Sequence, residues 1–212
     1  MITVLIKGGT VACPVYGAYS YGSPVLYGIQ GQAYNNKVII DGATVNLSVY
    51  GADVWGINAP SGGNSVVINA GTVNGYVYGA YSASRLNAVH NTVTVNQNST
   101  VNDTIYGGYG TGSGNENTVS ITDSVLGTVY GGYGKTDDGN NNVVNIDWDS
   151  QGPVGQNSVV KGSVYGGYGV DDALSNNVNV AGLVKGSVYG GYGVENALSN
   201  NVNVAGLVEG SV

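Results

Sequence analysis

Seven times along the chain a β-branched residue is followed by Tyr, Gly, and then Gly or Ala. The motif reads VYGAY at 15–19, VYGAD at 49–53, VYGAY at 77–81 and IYGGY at 105–109, then VYGGY at 129–133, 164–168 and 188–192. Residues 161–184 and 185–208 are a near-perfect duplication with a period of 24, differing only where Asp171-Asp172 becomes Glu195-Asn196. A repeat of this length means stacked supersecondary units, each too small to bury its own apolar residues.

Two further signals keep step with the motif. A valine stands four residues before each copy: Val11, Val45, Val73, Val101, Val125, Val160 and Val184. Upstream lies an Asn-x-Val-x-Val/Ile segment, at residues 36–40, 64–68, 91–95, 117–121, 142–146, 176–180 and 200–204. The longer units carry their excess in Gly-, Ser-, Asn- and Asp-rich stretches at 20–34 and 147–157, which read as loops.

In Asn201-Val202-Asn203-Val204 the valines share one face and the asparagines the other, the period-2 pattern of a strand. No sustained helical stripe occurs. With 37 glycines in 212 residues and only 9% charged residues, short strands and tight turns are favoured over helix. About three strands per unit are expected, stacked about 4.8 Å apart in parallel sheets around a Val and Ile interior. The expected fold is an all-β parallel β-solenoid, a right-handed β-helix with 24–35 residues per coil. One solenoid of seven to eight coils would occupy residues 1–212. A propeller blade needs about 40–50 residues, more than this period supplies.

Residues 6–15 align without gaps with 40–49, and the chain stops where another Tyr-Gly would follow. It reads as a fragment of a longer repeat protein. The apolar run Ile2–Ile6, with Lys7 after it, reads as strand rather than export signal. No segment approaches the roughly 20 apolar residues of a membrane span.

The formal net charge is −7, and the six Lys and Arg residues do not cluster. Nucleic acid and anionic membranes both call for a basic patch, so neither is expected as a partner. One cysteine, Cys13, excludes an internal disulfide framework.

The tyrosines of the motif are the one candidate binding feature: Tyr16, Tyr50, Tyr78, Tyr106, Tyr130, Tyr165 and Tyr189. One per coil, they should stack as an aromatic ladder. That ladder is either purely structural or an aromatic stripe that binds glycans or host surfaces. Asp53 takes the second aromatic position in one coil. Because a buried charge is costly, this position is expected near solvent. The first Gly occurs in every copy, which implies positive φ or no room for Cβ; the next position accepts Ala and is expected to be more tolerant.

Chemistry is sparse. The sequence around Gly166 to Leu174 nearly fits a Gly-Gly-x-Gly-x-Asp calcium repeat, but calcium rolls need it in immediate tandem and Glu195-Asn196 replaces the acid pair one unit on. Acidic turn residues are the better reading. The one histidine, His90, lies at a strand start, and Cys13 has no nearby His. Asp147, Asp149, Asp171 and Asp172 have only Lys135 and Lys161 as basic company. These residues assemble no nucleophile, base and oxyanion set. No catalytic residue, metal or cofactor is assigned, and no enzyme activity is expected. An ice-binding face would need a flat Thr-x-Thr array, which only Thr92-Val93-Thr94 approaches.

Repeats of Val-Tyr-Gly-Gly-Tyr with Asn-x-Val-x-Ile/Val and intervening Gly-x-Val resemble the passenger regions of Gram-negative autotransporter adhesins, over essentially the whole chain. The resemblance implies an extracellular or cell-surface rod with an adhesive or spacer role. Edge-to-edge self-association is a separate expectation. A carbohydrate-binding or carbohydrate-active β-helix is the alternative.

Overall fold

The computed structural model describes residues 1–21, 33–56, 61–83, 85–96, 98–147 and 158–212. Most of the two loops expected at 20–34 and 147–157, including Asp149, therefore lies outside the described residues. Every described element is a strand, every strand pairing is parallel, and the chain is a β-solenoid.

The Asn-x-Val-x-Val segments form one eight-stranded sheet, beginning with Thr3–Lys7 and Lys37–Asp41 and ending with Asn177–Val180 and Asn201–Val204. Its register is direct: Val38 pairs with Val66, Val66 with Val93, and Val178 with Val202. The Gly-x-Val pieces form a second eight-stranded sheet of two-residue strands, in which Val11, Val45, Val73, Val101, Val125, Val160, Val184 and Val208 line up. The Tyr motif forms the third sheet. The sequence step between neighbouring rungs ranges from 24 residues, Asn176 to Asn200, to 35 residues, Tyr130 to Tyr165. Register therefore belongs to the repeated strands, and the loops absorb the difference in length.

Alternation turns every second side chain inward. Val38, Ile40, Val66, Ile68, Val119 and Ile121 are fully buried in a single core built almost wholly of Val and Ile. β-branched side chains suit this site because a pleated strand already restricts their rotamers. Val178 and Val180 are buried as expected, but Val202 is half-buried and Val204 is 38% exposed. Their rung has a neighbour on only one side.

Three strands per unit is an incomplete description. A fourth, three-stranded sheet joins Ala33–Tyr34, Ser61–Gly62 and Ala88–Val89. It closes a second, smaller core of Ala18, Ala33, Ala52, Val54, Ala80, Leu86 and Ala88. The tyrosine sheet changes form over the same stretch. Where the motif carries Ala, it breaks into two-residue strands such as Val77–Tyr78 and Tyr81–Ser82. Where it carries Gly-Gly, it runs on as six-residue strands: Ile105–Gly110, Val129–Gly134, Val164–Gly169 and Val188–Gly193.

Both glycines of the later motifs owe their identity to space. A Cβ on Gly166 would lie 2.1 Å from the Gly190 carbonyl oxygen of the next rung. No positive φ is involved, so of the two explanations for this glycine, the close approach is the correct one. A Cβ on Gly167 would lie 1.8 Å from the Gly139 carbonyl oxygen. The expected tolerance of this second position is therefore confined to the first coils, where Ala18, Ala52 and Ala80 pack in the smaller core.

A row of left-handed backbone sits elsewhere, two residues before seven of the eight strands of the asparagine sheet. Asn35, Gly63, His90, Glu116, Asn141, Ser175 and Ser199 all have φ between 56° and 65°. The next residue is always asparagine, and these form a continuous ladder. From Asn64 onward each Oδ1 accepts the backbone N–H and the Nδ2–H of the asparagine one rung back, as Asn142 does from Asn117 at 2.9 and 3.2 Å. The ladder runs through Asn36, Asn64, Asn91, Asn117, Asn142, Asn176 and Asn200. It satisfies backbone donors at a corner where no strand can reach them, as buried polar groups require. Among the described residues no helix is long and apolar enough to cross a membrane.

Candidate tyrosine contact surface

The strand pattern Val-Tyr-Gly-Gly-Tyr-Gly places the valine inward and both tyrosines outward. Parallel in-register pairing then puts identical tyrosines above one another. Tyr16, Tyr50, Tyr78, Tyr106, Tyr130, Tyr165 and Tyr189 form one unbroken stack, with ring centroids 4.8–5.1 Å apart and planes within 15° of parallel. All seven candidate residues are thus brought together in one column.

A second column runs beside it: Tyr81, Tyr109, Tyr133, Tyr168 and Tyr192, spaced 4.7–5.1 Å apart. The columns meet edge to face. Tyr106 and Tyr109 lie 5.4 Å apart at 86°, and Tyr130 and Tyr133 lie 5.4 Å apart at 89°. This satisfies the ring quadrupoles in both directions, offset stacking along the axis and T-shaped contact across it. The geometry also decides what the surface offers a ligand. Ring faces inside each column are covered by the rings above and below. What reaches solvent is a double row of ring edges and phenolic hydroxyls.

The hydroxyls of Tyr78, Tyr106, Tyr109, Tyr130 and Tyr133 are held neutral. Burial pushes the Tyr130 phenol up to about 12, with the neighbouring Tyr165 adding to the shift. Tyr78, Tyr106, Tyr109 and Tyr133 are raised as well, burial being the largest cause in each. The face therefore presents neutral groups that both donate and accept hydrogen bonds.

Asp53 interrupts the second column between Tyr19 and Tyr81. It was expected near solvent, but it is buried, with 5% of its surface exposed. The bulk of neighbouring rungs covers it: a carboxylate is shorter than the ring it replaces and sits below the level of the adjoining tyrosines. Desolvation raises its pKa to about 6, against a lowering by a side-chain hydrogen bond with Trp55. Its Oδ1 is buried without a hydrogen-bond partner among the described residues. Around it Ser48, Tyr50, Trp55, Tyr76, Tyr78 and Tyr81 line a cleft of about 370 Å³.

The acidic residues Asp137, Asp138 and Asp171 occupy turns. Asp138 Oδ1 accepts the Asp172 N–H at 3.3 Å, and Asp172 Oδ1 accepts from Asn196 Nδ2 at 2.7 Å. The acidic turns are thus linked rung to rung, and among the described residues no group of three or more His, Cys, Asp or Glu side chains is placed to hold a metal ion. His90 is 64% exposed and pairs with Glu116 through Nε2. Cys13 is exposed and free. Thr92 and Thr94 are followed in register by Thr118 and Ser120, then by Val143 and Asn145, so the threonine columns are short. Comparison with protein-family models, curated proteins and solved structures returns no match.

Proposed function

We propose that this chain is a non-catalytic structural and adhesive rod, a β-helical passenger segment displayed outside the bacterial cell. Its double tyrosine column is the contact face. The observation that supports this most is the continuity of that face: seven stacked tyrosines in one column and a second column edge to face beside it. A core needs only the inward valines. Two outward aromatic columns with neutral hydroxyls go beyond what burial demands, and tyrosine is enriched at binding surfaces because an apolar body carries a polar tip.

Glycans on a host surface suit such a face. Their hydroxyls can exchange hydrogen bonds with the phenolic row, and the protein's net charge of −7 disfavours anionic nucleic acid. Parallel rungs also leave backbone groups unpaired at a sheet edge, a route to edge-to-edge self-association. A carbohydrate-binding role without anchoring is the second reading, supported by the same hydroxyl row.

The test is adhesion of purified protein to glycan-coated and cell surfaces, comparing the native chain with Tyr133→Ser/Tyr168→Ser. Adhesion should fall severalfold in the double variant, with no soluble sugar released from polysaccharide by either protein. Unchanged adhesion would assign the tyrosines to stability alone, and sugar release would favour a carbohydrate-active enzyme.

A further inference from the structure

The tyrosine face has one chemically distinct point, the cleft over Asp53. Three independent features meet there. The carboxylate is 95% buried, the complement of its 5% exposure, and its Oδ1 lacks any hydrogen-bond donor among the described residues. The cleft walls are aromatic, from Tyr50, Trp55, Tyr78 and Tyr81. The second column is broken at this level only, since Tyr81, Tyr109, Tyr133, Tyr168 and Tyr192 continue it without a gap.

We infer that this cleft is a binding site for an organic cation bearing N–H donors, specifically an alkylguanidinium group. Trp55 hydrogen-bonds to the carboxylate, but its Oδ1 has no donor among the described residues. Among the described residues no lysine or arginine forms an ion pair with it. Aromatic walls attract a cation through the ring quadrupole, and attract it more strongly where water is excluded. A guanidinium is planar and weakly hydrated, so it stacks on aromatic rings while its edge donates to a carboxylate oxygen. An isolated buried carboxylate is costly, and a bound cation offsets that cost in a way a neutral ligand cannot. A sugar could donate a hydroxyl to Oδ1 but would leave the charge uncompensated.

The inference goes beyond adhesion and stands or falls separately from it, because it concerns one cleft and a small ligand. Two sources of the group are conceivable, a free guanidino compound and an arginine side chain of a partner. Calorimetric titration distinguishes them with agmatine and with a capped Gly-Arg-Gly peptide. Choline and glucose serve as the comparison ligands. Agmatine should bind one to one, with a dissociation constant on the order of millimolar for so small a ligand.

Asp53→Asn keeps the shape and removes the charge, and should weaken binding roughly ten- to hundredfold. Asp53→Tyr restores the residue found at this position in the other motifs, fills the cleft, and should abolish binding while the protein remains folded. Peptide binding as tight as agmatine would point to a protein partner; agmatine alone would point to a free compound. The inference is overturned if agmatine does not bind, if Asp53→Asn binds it equally well, or if choline, which has no N–H, binds as tightly. Glucose binding at this cleft in place of agmatine would also overturn it.

Discussion

The Oδ1 atom of Asn117 accepts two hydrogen bonds from Asn91, one from the backbone N–H at 2.9 Å and one from Nδ2–H at 3.0 Å. Both residues are buried, so each interaction replaces water that neither donor can reach. Asn117→Ala should destabilise the protein by about 3 kcal/mol, because it leaves two buried donors unsatisfied. Asn201→Ala, on the exposed face of the same sheet, should change stability by less than about 0.5 kcal/mol. Denaturant midpoints check the contrast, and hydrogen exchange should place the loss at the rungs flanking Asn117, since a solenoid transmits strain mainly to neighbours.

The glycine pair offers a second contrast. Gly166→Ala and Gly167→Ala each drive a Cβ into a backbone carbonyl, of Gly190 and Gly139 respectively. Backbone cannot swing aside as a flexible side chain can, so both should cost about 2–4 kcal/mol in thermal or chemical unfolding. Ala80→Gly, in the coils where alanine is native and packed in the smaller core, should cost only about 1 kcal/mol.

Ser175 holds φ at 56°, a conformation that glycine adopts without penalty and serine does not. Ser175→Gly should raise stability by about 1 kcal/mol. Thermal unfolding of this variant beside Gly63→Ala, which reverses the change at the matching corner, should show shifts of opposite sign.

Asp53 gives the protein a pH signature. Its folded pKa, about 6, lies above the ordinary value of 3.8, so the folded state binds the proton more tightly than the unfolded state does. Its contribution to stability is therefore fully present below about pH 4 and is lost as pH rises through about 6. Tyr16, Tyr50 and Tyr81 surround it and remain protonated through this range, their own pKa values being raised. Asp53→Asn should remove this part of the slope and be the more stable protein at pH 7. Subtracting the two curves isolates Asp53, because Asp138, also raised by burial, is common to both.

The column structure was legible because the repeat is nearly strict. Once Val45 and Val73 are seen to hold the same place, parallel pairing brings them together, and the tyrosine stack follows by the same reasoning. What escaped depended on contacts between rungs rather than on pattern within one. Ala33, Ser61 and Ala88 form a sheet from two-residue strands with no alternation to reveal them. The left-handed corner carries glycine only at Gly63 among its seven positions, so composition concealed it. Asp53 is solvent-facing by strand alternation and buried by the rings above and below it, a fact that no single-strand reading contains. The tolerance inferred for Gly167 from Ala18, Ala52 and Ala80 failed because the cross-section changes along the rod.

Everything proposed for the tyrosine face depends on rungs that stack in parallel and in register. Pulsed electron resonance on spin-labelled cysteine pairs measures that directly, with Cys13 replaced by Ser. Lys37 pairs with Ser65 and, rung by rung through Thr92, Thr118 and Val143, leads to Asn177 and then Asn201. Labels at 37 and 177 should lie about 24 Å apart, and labels at 37 and 201 about 29 Å apart, a gain of about 4.8 Å for the added rung before allowance for the label arms. Distances that fail to grow by one strand spacing per rung would contradict the parallel stack, and with it the tyrosine columns.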